Sequence, residues 1–132
     1  MDMEAALMAR VLAAVPVTTL AGQRVYWDMR PQNSALPDIT LQFIVDNREQ
    51  HMGGFQELRS GMVQADVRAK TFAEKKLLKD ALIAALEPAH TGNGIHFNRA
   101  TRITSRTLNE WSATQFIYRD AIDFFLHFSA TA

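Results

Sequence analysis

Residues 62–86, MVQADVRAKTFAEKKLLKDALIAAL, decide the fold because a strand pattern gives way to a helix pattern within them. From residue 63 to residue 70, apolar and polar side chains alternate, which is typical of a strand with one buried face. Thr71 and Glu74 then have the spacing of a capping box, in which two side chains satisfy backbone amides at the start of a helix. The stretch therefore predicts a central strand that leads directly into a helix.

The predicted helix has an apolar side and a charged side. A turn of about 100° per residue places these residues on the apolar side: Ala73, Leu77, Leu78, Ala81, Leu82, Ala84 and Ala85. The other side carries Lys75, Lys76, Lys79 and Asp80. We expect the apolar side to lie on the sheet. Phe72 and Ile83 fall among the lysines and are candidates for a protein-contact surface.

Composition restricts the class of protein. The chain has 132 residues, 48% of them apolar, which suits one domain over 1–132 that buries roughly two thirds of its unfolded surface. Fourteen basic and fourteen acidic side chains cancel, so overall charge gives no attraction for nucleic acid or anionic lipid. The lack of cysteine excludes disulfides and thiolate chemistry. No apolar run approaches the roughly 20 residues of a membrane span, so we expect no membrane partner.

The remaining patterns predict one more helix and four more strands. Met3 to Val15 is an alanine-rich helix stopped by Pro16, with its small side chains either in water or against a second subunit. The predicted strands are 24–28, 38–47, 95–108 and 115–128, and 48–58 is a long glycine-containing loop. On 38–47, Ile39, Leu41, Phe43 and Val45 share one side. The apolar residues of the last two strands have opposite parity, so paired residue numbers should as well.

This order, α-β-β-β-α-β-β, predicts an α+β fold. We expect a mostly antiparallel sheet of about five strands with two helices packed on one face.

The sequence contains no catalytic motif. His96 and His127 could be neighbours on the terminal hairpin, with Asp123 as a third metal ligand, but this spacing matches no recognised pattern and ordinary surface histidines are the simpler interpretation. The serines lack a nucleophile-elbow context, and Gly53-Gly54 lacks the lysine and helix of a phosphate loop. We predict no enzyme activity, catalytic residue, cofactor or metal.

A basic strip is the other candidate site. Arg99, Arg102 and Arg106 alternate with threonines and precede Trp111 and Tyr118. Cations and aromatics of this kind can contact a nucleic-acid backbone. Strand alternation splits the arginines between faces, which favours a solvated strand whose charges protect an edge.

Several short motifs, in order, resemble a family of small tail-completion proteins of long-tailed phages and prophages. They are Gly22-Gln23-Arg24-Val25-Tyr26, Pro31-Gln32, Leu36-Pro37, Gln64-Ala65-Asp66-Val67, Thr71-Phe72-Ala73-Glu74 and the last strand with Arg119 and Asp123-Phe124. The chain departs from the family at Trp27, where a proline is more usual, and in the long 48–58 loop.

The resemblance implies a structural protein that caps the head-proximal end of the tail tube as a homohexameric ring, ends tube polymerisation and joins the head. Its partners would be itself, the major tail tube protein and a head-side connector, with DNA only passing non-specifically through the lumen. It would lie in the virion tail or neck, and in the host cytoplasm before assembly. The candidate ring or tube contacts are Gln50, His51, Met52, Gly53, Gly54, Phe55, Phe72, Arg99, Arg102 and Arg106.

Two other interpretations stay open. The chain could be another neck component, such as a connector or adaptor, or a non-viral α+β binding module. A ligand pocket or sequence-specific DNA binding would favour the module, and metal-dependent turnover lost on changing His96 and His127 would favour an enzyme.

Overall fold

The computed structural model describes residues 2–32, 34–47, 50–51, 54–55 and 59–130. Within these residues there are three helices, an eight-stranded sheet and a separate two-stranded ribbon. The helices are α1 (Met3–Ala13), α2 (Val15–Ala21) and α3 (Phe72–Leu86). The strands are β1 (Val25–Trp27), β2 (Asp38–Asn47), β3 (Gln50–His51), β4 (Gly54–Phe55), β5 (Arg59–Ala69), β6 (His90–Gly92), β7 (Ile95–Phe97), β8 (Arg102–Thr107), β9 (Glu110–Ser112) and β10 (Gln115–Ala130).

The long last strand, β10, organises the sheet. One edge of β10 pairs antiparallel with β5, and the other edge pairs in turn with β9, β8 and β7. The main path across the sheet is β1-β2-β5-β10-β7-β6. The α+β class is confirmed, but the prediction of about five strands and two helices was too low. The sheet is also mixed, because β1 pairs parallel with β2.

The predicted strand 95–108 is divided into β7 and β8. Both pair with β10, and the pairs Phe97↔Phe128 and Ile103↔Phe124 confirm the opposite parity. Between them, Ala100 donates its N–H to the carbonyl of Glu87 at the end of α3. The chain can leave the sheet at this point because the Glu87 carbonyl, which lies outside the sheet, satisfies the backbone N–H of Ala100.

One face of the sheet carries the core, and we call it the helix face. It presents Ile39 and Leu41 of β2, Val63, Ala65 and Val67 of β5, and Ile122, Phe124, Leu126 and Phe128 of β10, all buried with α1, α2 and α3. The opposite side chains form the open face, on which none of the three helices packs. It presents Thr40, Gln42, Gln64, Asp66, Arg68, Arg119, Asp123, Phe125 and His127, which alternate with the core residues.

The N-terminal segment forms two helices where one was predicted. Asp2 caps α1 by accepting from the N–H of Ala5 at 2.9 Å. The predicted end of the first helix at Val15 was wrong, because α1 ends at Ala13 and Val15 begins α2. Pro16 lies in the first turn of α2, where a proline costs no hydrogen bond. No single helix in the described segments is long and apolar enough to cross a membrane, whereas α1 and α2 together pass on length and composition but meet at an 83° bend.

The cap of α3 is confirmed, but its buried side is rotated from the predicted one. Thr71 accepts from the N–H of Glu74 at 3.1 Å. The buried residues are Lys75, Leu78, Leu82 and Leu86, whereas Leu77, predicted to face the sheet, is 60% exposed. Periodicity alone cannot find this rotation, because Lys75 is buried only through a carboxylate on β10.

A bulge in β2 changes which side chains face the core. The register shifts between Phe43 and Val45, so Val45 pairs with Met62 and lies on the open face. The prediction that Val45 shares the core side with Phe43 was therefore wrong. Gly61 fits beside the bulge because a Cβ there would come within 2.4 Å of the Val45 carbonyl and 2.3 Å of the Phe43 ring.

Candidate interaction surfaces

The predicted 48–58 loop contains a short ribbon. Strands β3 and β4 pair antiparallel through Gln50↔Phe55 and His51↔Gly54, so these four candidate contacts come together. Met52 and Gly53, the other two candidates here, lie outside the described residues. Strands β2 and β5 pair up to Asn47↔Ser60. The ribbon therefore lies in the segment that joins the C-terminal end of β2 to the N-terminal end of β5.

The three arginines of the basic strip do not form one cluster. Arg99 precedes β8 and forms an ion pair with Glu87, with 2.5 Å between Nη2 and Oε1. Arg102 and Arg106 lie on the open face, where they pair with Phe125 and Ala121 of β10. The Arg102 guanidinium stands 5.5 Å from the centre of the Phe125 ring. The predicted split of the arginines between two faces of one strand was therefore wrong for Arg99, which lies between β7 and β8 and on neither face of the sheet.

An ion-pair network crosses the open face. Arg119 of β10 donates Nε–H to both carboxylate oxygens of Asp66 at 2.7 and 2.9 Å, and its Nη1 is 3.7 Å from Glu110. The hydrogen bond to Asp66 raises the pKa of Arg119. A two-pronged arginine–carboxylate contact fixes both side chains, so this pair holds β5 and β10 in register and stiffens the open face.

Asp38, at the start of β2, is a buried carboxylate in the same region. Its side chain has no exposed surface, and it is 3.5 Å from Arg30 and 3.7 Å from Arg68. Burial raises the pKa of Asp38 to about 6, against the opposing attraction of Arg30. Beside it, Arg30, Arg68 and Arg119 line a polar depression of about 330 Å³ with the carboxylates of Asp28, Asp66 and Glu110.

The open face becomes apolar toward the C-terminal end of β2 and the N-terminal end of β5. A depression of about 350 Å³ there is lined mainly by apolar atoms of Val45, Met62, Phe125 and Leu126 together with Ser60, Gly61, Thr101 and His127. The bulge that turns Val45 outward helps to form this surface. The open face thus has a charged end and an apolar end.

A second groove lies on the helix face, between α3 and β8. The buried amine of Lys75 is 3.2 Å from Asp120 of β10, and Lys79 is 3.7 Å from the same carboxylate. Phe72, a predicted contact residue, is 59% exposed and its ring lies 5.1 Å from the Lys75 amine. The groove has a volume of about 240 Å³, and Lys76, Asp80 and Thr107 complete its lining.

Aromatic side chains cluster at the β9–β10 hairpin. Trp111 and Phe116 have ring centres 5.2 Å apart, and Phe116 and Tyr118 are 5.0 Å apart, both in edge-to-face geometry. Trp111 is 71% exposed. Edge-to-face contacts of this kind hold the rings in fixed positions, so the hairpin presents a rigid exposed indole.

The histidines do not assemble a metal site in the described parts of the chain. No group of three or more His, Asp or Glu side chains there is placed to hold an ion. His96 pairs with Ser129 on β10, two residues from His127, and its Nδ1 lies 2.5 Å from the Thr91 hydroxyl.

Among the described residues, sequence patterns missed four buried charges, of which Asp38 is one. Arg10 of α1 donates to the carbonyl of Pro88 and its guanidinium lies 5.6 Å from the centre of the Phe97 ring. Burial lowers the pKa of Arg10 to about 10, so it stays charged at neutral pH. The sequence pattern placed Lys75 on the charged side of the helix, and it assigned no partner to Asp120. Only the contact between distant segments reveals such pairs, although Asp120 on a core-facing position was a visible anomaly.

Two comparisons with known proteins returned matches, one to a family and one to solved structures. A family model described as Tail completion protein gp17 matches residues 5–114. Among solved structures, a chain of a structure described as "Virion of native gene transfer agent (GTA) particle" superposes with a TM-score of 0.69 at 18% identity, covering 97% of this chain and 95% of that one. That likeness shows a shared fold. The comparison with curated proteins returned no match. Because the family model spans most of the sequence, the chain belongs to the tail completion protein gp17 family.

Proposed function

We propose that this protein caps the head-proximal end of a tail tube as a homohexameric ring, stops tube polymerisation and offers the surface that the head joins. The observation that carries the proposal is the family match over residues 5–114. Family membership supports a structural role in a tail, and the ring and the capping step are the finer parts of the proposal. On this view 1–132 acts as a single tail-terminator-like domain in the tail or neck, and in the host cytoplasm before assembly.

The described surfaces suit a scaffold that makes several protein contacts. The open face is stiffened by the Arg119–Asp66 pair, and rigid surfaces lose little conformational freedom on assembly. The β3–β4 ribbon, which contains Gln50, His51, Gly54 and Phe55, extends the candidate contact region beyond the sheet. Met52 and Gly53 of the same segment, and Phe72, Arg99, Arg102 and Arg106, complete the proposed ring or tube contacts.

A ring requires a head-to-tail interface, in which one patch of a subunit meets a different patch of the next. The apolar end of the open face and the exposed side chains of α3 are two separate patches that can serve this purpose. The partners in this scheme are a second copy, the major tail tube protein and a head-side connector. DNA passes through the lumen with non-specific, salt-sensitive contact at most.

Electron microscopy of a polymerising tail tube protein, with and without this protein, tests the proposal. We expect tubes of restricted length that carry a six-fold ring at one end. Uncapped tubes of unrestricted length would refute the terminator role and favour a head-side neck component or a binding module instead. A Phe72→Ala, Arg102→Ala double variant that still caps normally would remove those two residues from the proposed contacts.

A further inference from the structure

In the part of the chain that the structure describes, the outer edge of β8 has no strand partner. Its inner edge pairs with β10 throughout Arg102–Thr107. Leu108 directs its N–H at the carbonyl of Arg119 on β10, and N–H directions alternate along a strand, so the N–H of Ser105 points outward. The outer edge of β8 therefore presents a row of backbone donors and acceptors to which a further strand can bind.

A strand added at this edge would place its side chains on both faces of the sheet in turn. On the helix face, alternate side chains would enter the groove between α3 and β8, where Phe72, Lys76 and Lys79 are accessible. On the open face, the other set would pass Arg102 and Arg106 of β8. Both sets would thus meet cationic side chains.

The local charge is positive although the whole chain is neutral. The cations at this edge are Lys75, Lys76, Lys79, Arg102 and Arg106, and the carboxylates are Asp80, Asp120 and Asp123. Lys75 and Lys79 already pair with Asp120. The remaining excess of positive charge attracts carboxylates. Charge complementarity of this kind favours an acidic partner over a basic one.

We propose that the outer edge of β8 binds an extended acidic segment of a partner protein by adding it as a strand. Its alternate carboxylates would lie beside Lys76 and Lys79 on the helix face and beside Arg102 and Arg106 on the open face. Phe72 would cover an apolar side chain of the incoming strand. This is strand addition with charge selection, and it does not depend on whether the protein forms a ring or on which tail component it caps.

Nucleic acid fits this edge less well than a peptide. Phosphates would neutralise the same arginines and lysines, but a phosphate can only accept hydrogen bonds, so it leaves the outward carbonyls of β8 without a donor. A strand of peptide satisfies both the charges and the backbone. A third alternative is that the charges only keep other strands away, as they do on many exposed edges, in which case neither ligand binds there.

Fluorescence anisotropy with defined probes separates these alternatives. The main probe is a labelled eight-residue peptide with the repeat Glu-Glu-Val-Val, which places glutamates on both faces of an extended strand. The second probe has the same sequence with alternate backbone nitrogens methylated, which keeps the charge and removes the donors needed for pairing. The others are a peptide with the matching repeat Lys-Lys-Val-Val and a single-stranded oligothymidine. We expect binding of the first peptide, loss of most affinity on methylation, and no binding of the lysine peptide.

Matched variants then locate the site. Lys76→Ala with Arg106→Ala should weaken binding of the acidic peptide about tenfold, whereas the control Lys70→Ala with Arg30→Ala removes the same charge away from β8 and should leave binding nearly unchanged. Ser105→Pro removes an outward donor on an edge strand, where proline is tolerated, and should also weaken binding. Circular dichroism checks that each variant is folded.

Four results would overturn the proposal. These are binding of neither the acidic peptide nor oligothymidine, equal affinity for the methylated and unmethylated peptides, equal loss in the two double variants, and binding of oligothymidine without binding of the acidic peptide. Since the methylated probe is used with the unaltered protein, the test holds even if Ser105→Pro does not fold. Failure of tube capping would leave these results unaffected, so the two proposals fail separately.

Discussion

Replacing Gly61 by alanine should destabilise the protein through crowding at the β2 bulge. A Cβ at this position would be 2.3 Å from Cε1 of Phe43 and 2.4 Å from the carbonyl oxygen of Val45. Neither neighbour can move at little cost, because the Phe43 ring packs edge-to-face on Phe128 with centres 6.2 Å apart and the Val45 carbonyl belongs to the backbone of the bulge. Glycine is required here for space.

The magnitude follows from two opposing effects. Overpacking of this kind costs about 1 to 3 kcal/mol, and the clash with backbone places it toward the upper end. Alanine also reduces the freedom of the unfolded chain, which returns about 0.4 to 1 kcal/mol. The net loss should be about 2 kcal/mol, or a fall in Tm of about 7 °C for a chain of this length.

Urea unfolding of Gly61→Ala, Phe43→Ala and the double variant measures this effect. Phe43→Ala removes the ring and with it part of the clash. The double variant should therefore lose about 0.5 to 1 kcal/mol less free energy of unfolding than the two single variants lose in sum. A Gly61→Ala protein within about 0.5 kcal/mol of the original, or strictly additive costs, would show that the bulge does not constrain this position.

Three further changes test the buried charges. Asp120→Ala leaves the buried Lys75 amine without its carboxylate and should cost about 3 to 5 kcal/mol in urea unfolding, whereas Asp80→Ala on the exposed side should cost less than about 0.5 kcal/mol; similar costs would contradict the pairing. The pKa of Asp38 is about 6 in the folded chain against an ordinary 3.8, so the folded chain holds the proton more tightly than the unfolded chain. The protonated side chain therefore adds to the free energy of unfolding fully below pH 3.8, and this contribution is lost as the pH rises through about 6. Asp38→Asn should therefore remove a decline of up to about 3 kcal/mol between these pH values, and an unchanged profile would assign the decline to other groups. Arg10→Met should change the free energy of unfolding by no more than about 1 kcal/mol, because a well-packed apolar side chain can replace a buried charge, and a loss of several kcal/mol would show that the contacts of the guanidinium stabilise the fold.

Local patterns predicted most of the elements because they depend on neighbours in sequence. The cap at Thr71 and the alternation along β5 and β10 were readable in this way. The Asn93-Gly94 turn between β6 and β7 has positive φ at both residues, as this two-residue hairpin turn requires.

Features that depend on contacts between distant segments were not predictable. The bulge at Phe43 and Val45 arises where β2 meets Gly61, and no periodic pattern contains that information. The burial of Lys75 depends on Asp120, which is far away in sequence. The helix that begins at Val15, with Pro16 in its first turn, was overlooked because proline was interpreted only as a stop signal, although it is equally suited to a first turn.

The candidate site was predicted less completely than the fold. Phe72 and the two β8 arginines are exposed as expected. That Phe72 lies on the helix face and the two arginines on the open face depends on how β8 and α3 meet β10, which local patterns do not contain. The ion pairs on the open face involve residues that were visible as the polar half of each strand, but their partners could be assigned only once β5 and β10 were in register.

The most direct test of the proposed capping role is the location of the protein on incomplete particles. The chain has no cysteine, so a variant with the exposed Ser112→Cys change at the end of β9, away from both proposed interface patches, accepts a single gold label. Headless tails and tail-less heads from the same preparation are then compared by electron microscopy. The account predicts gold at one end of headless tails and none on tail-less heads, and gold on tail-less heads or along the tube would contradict it.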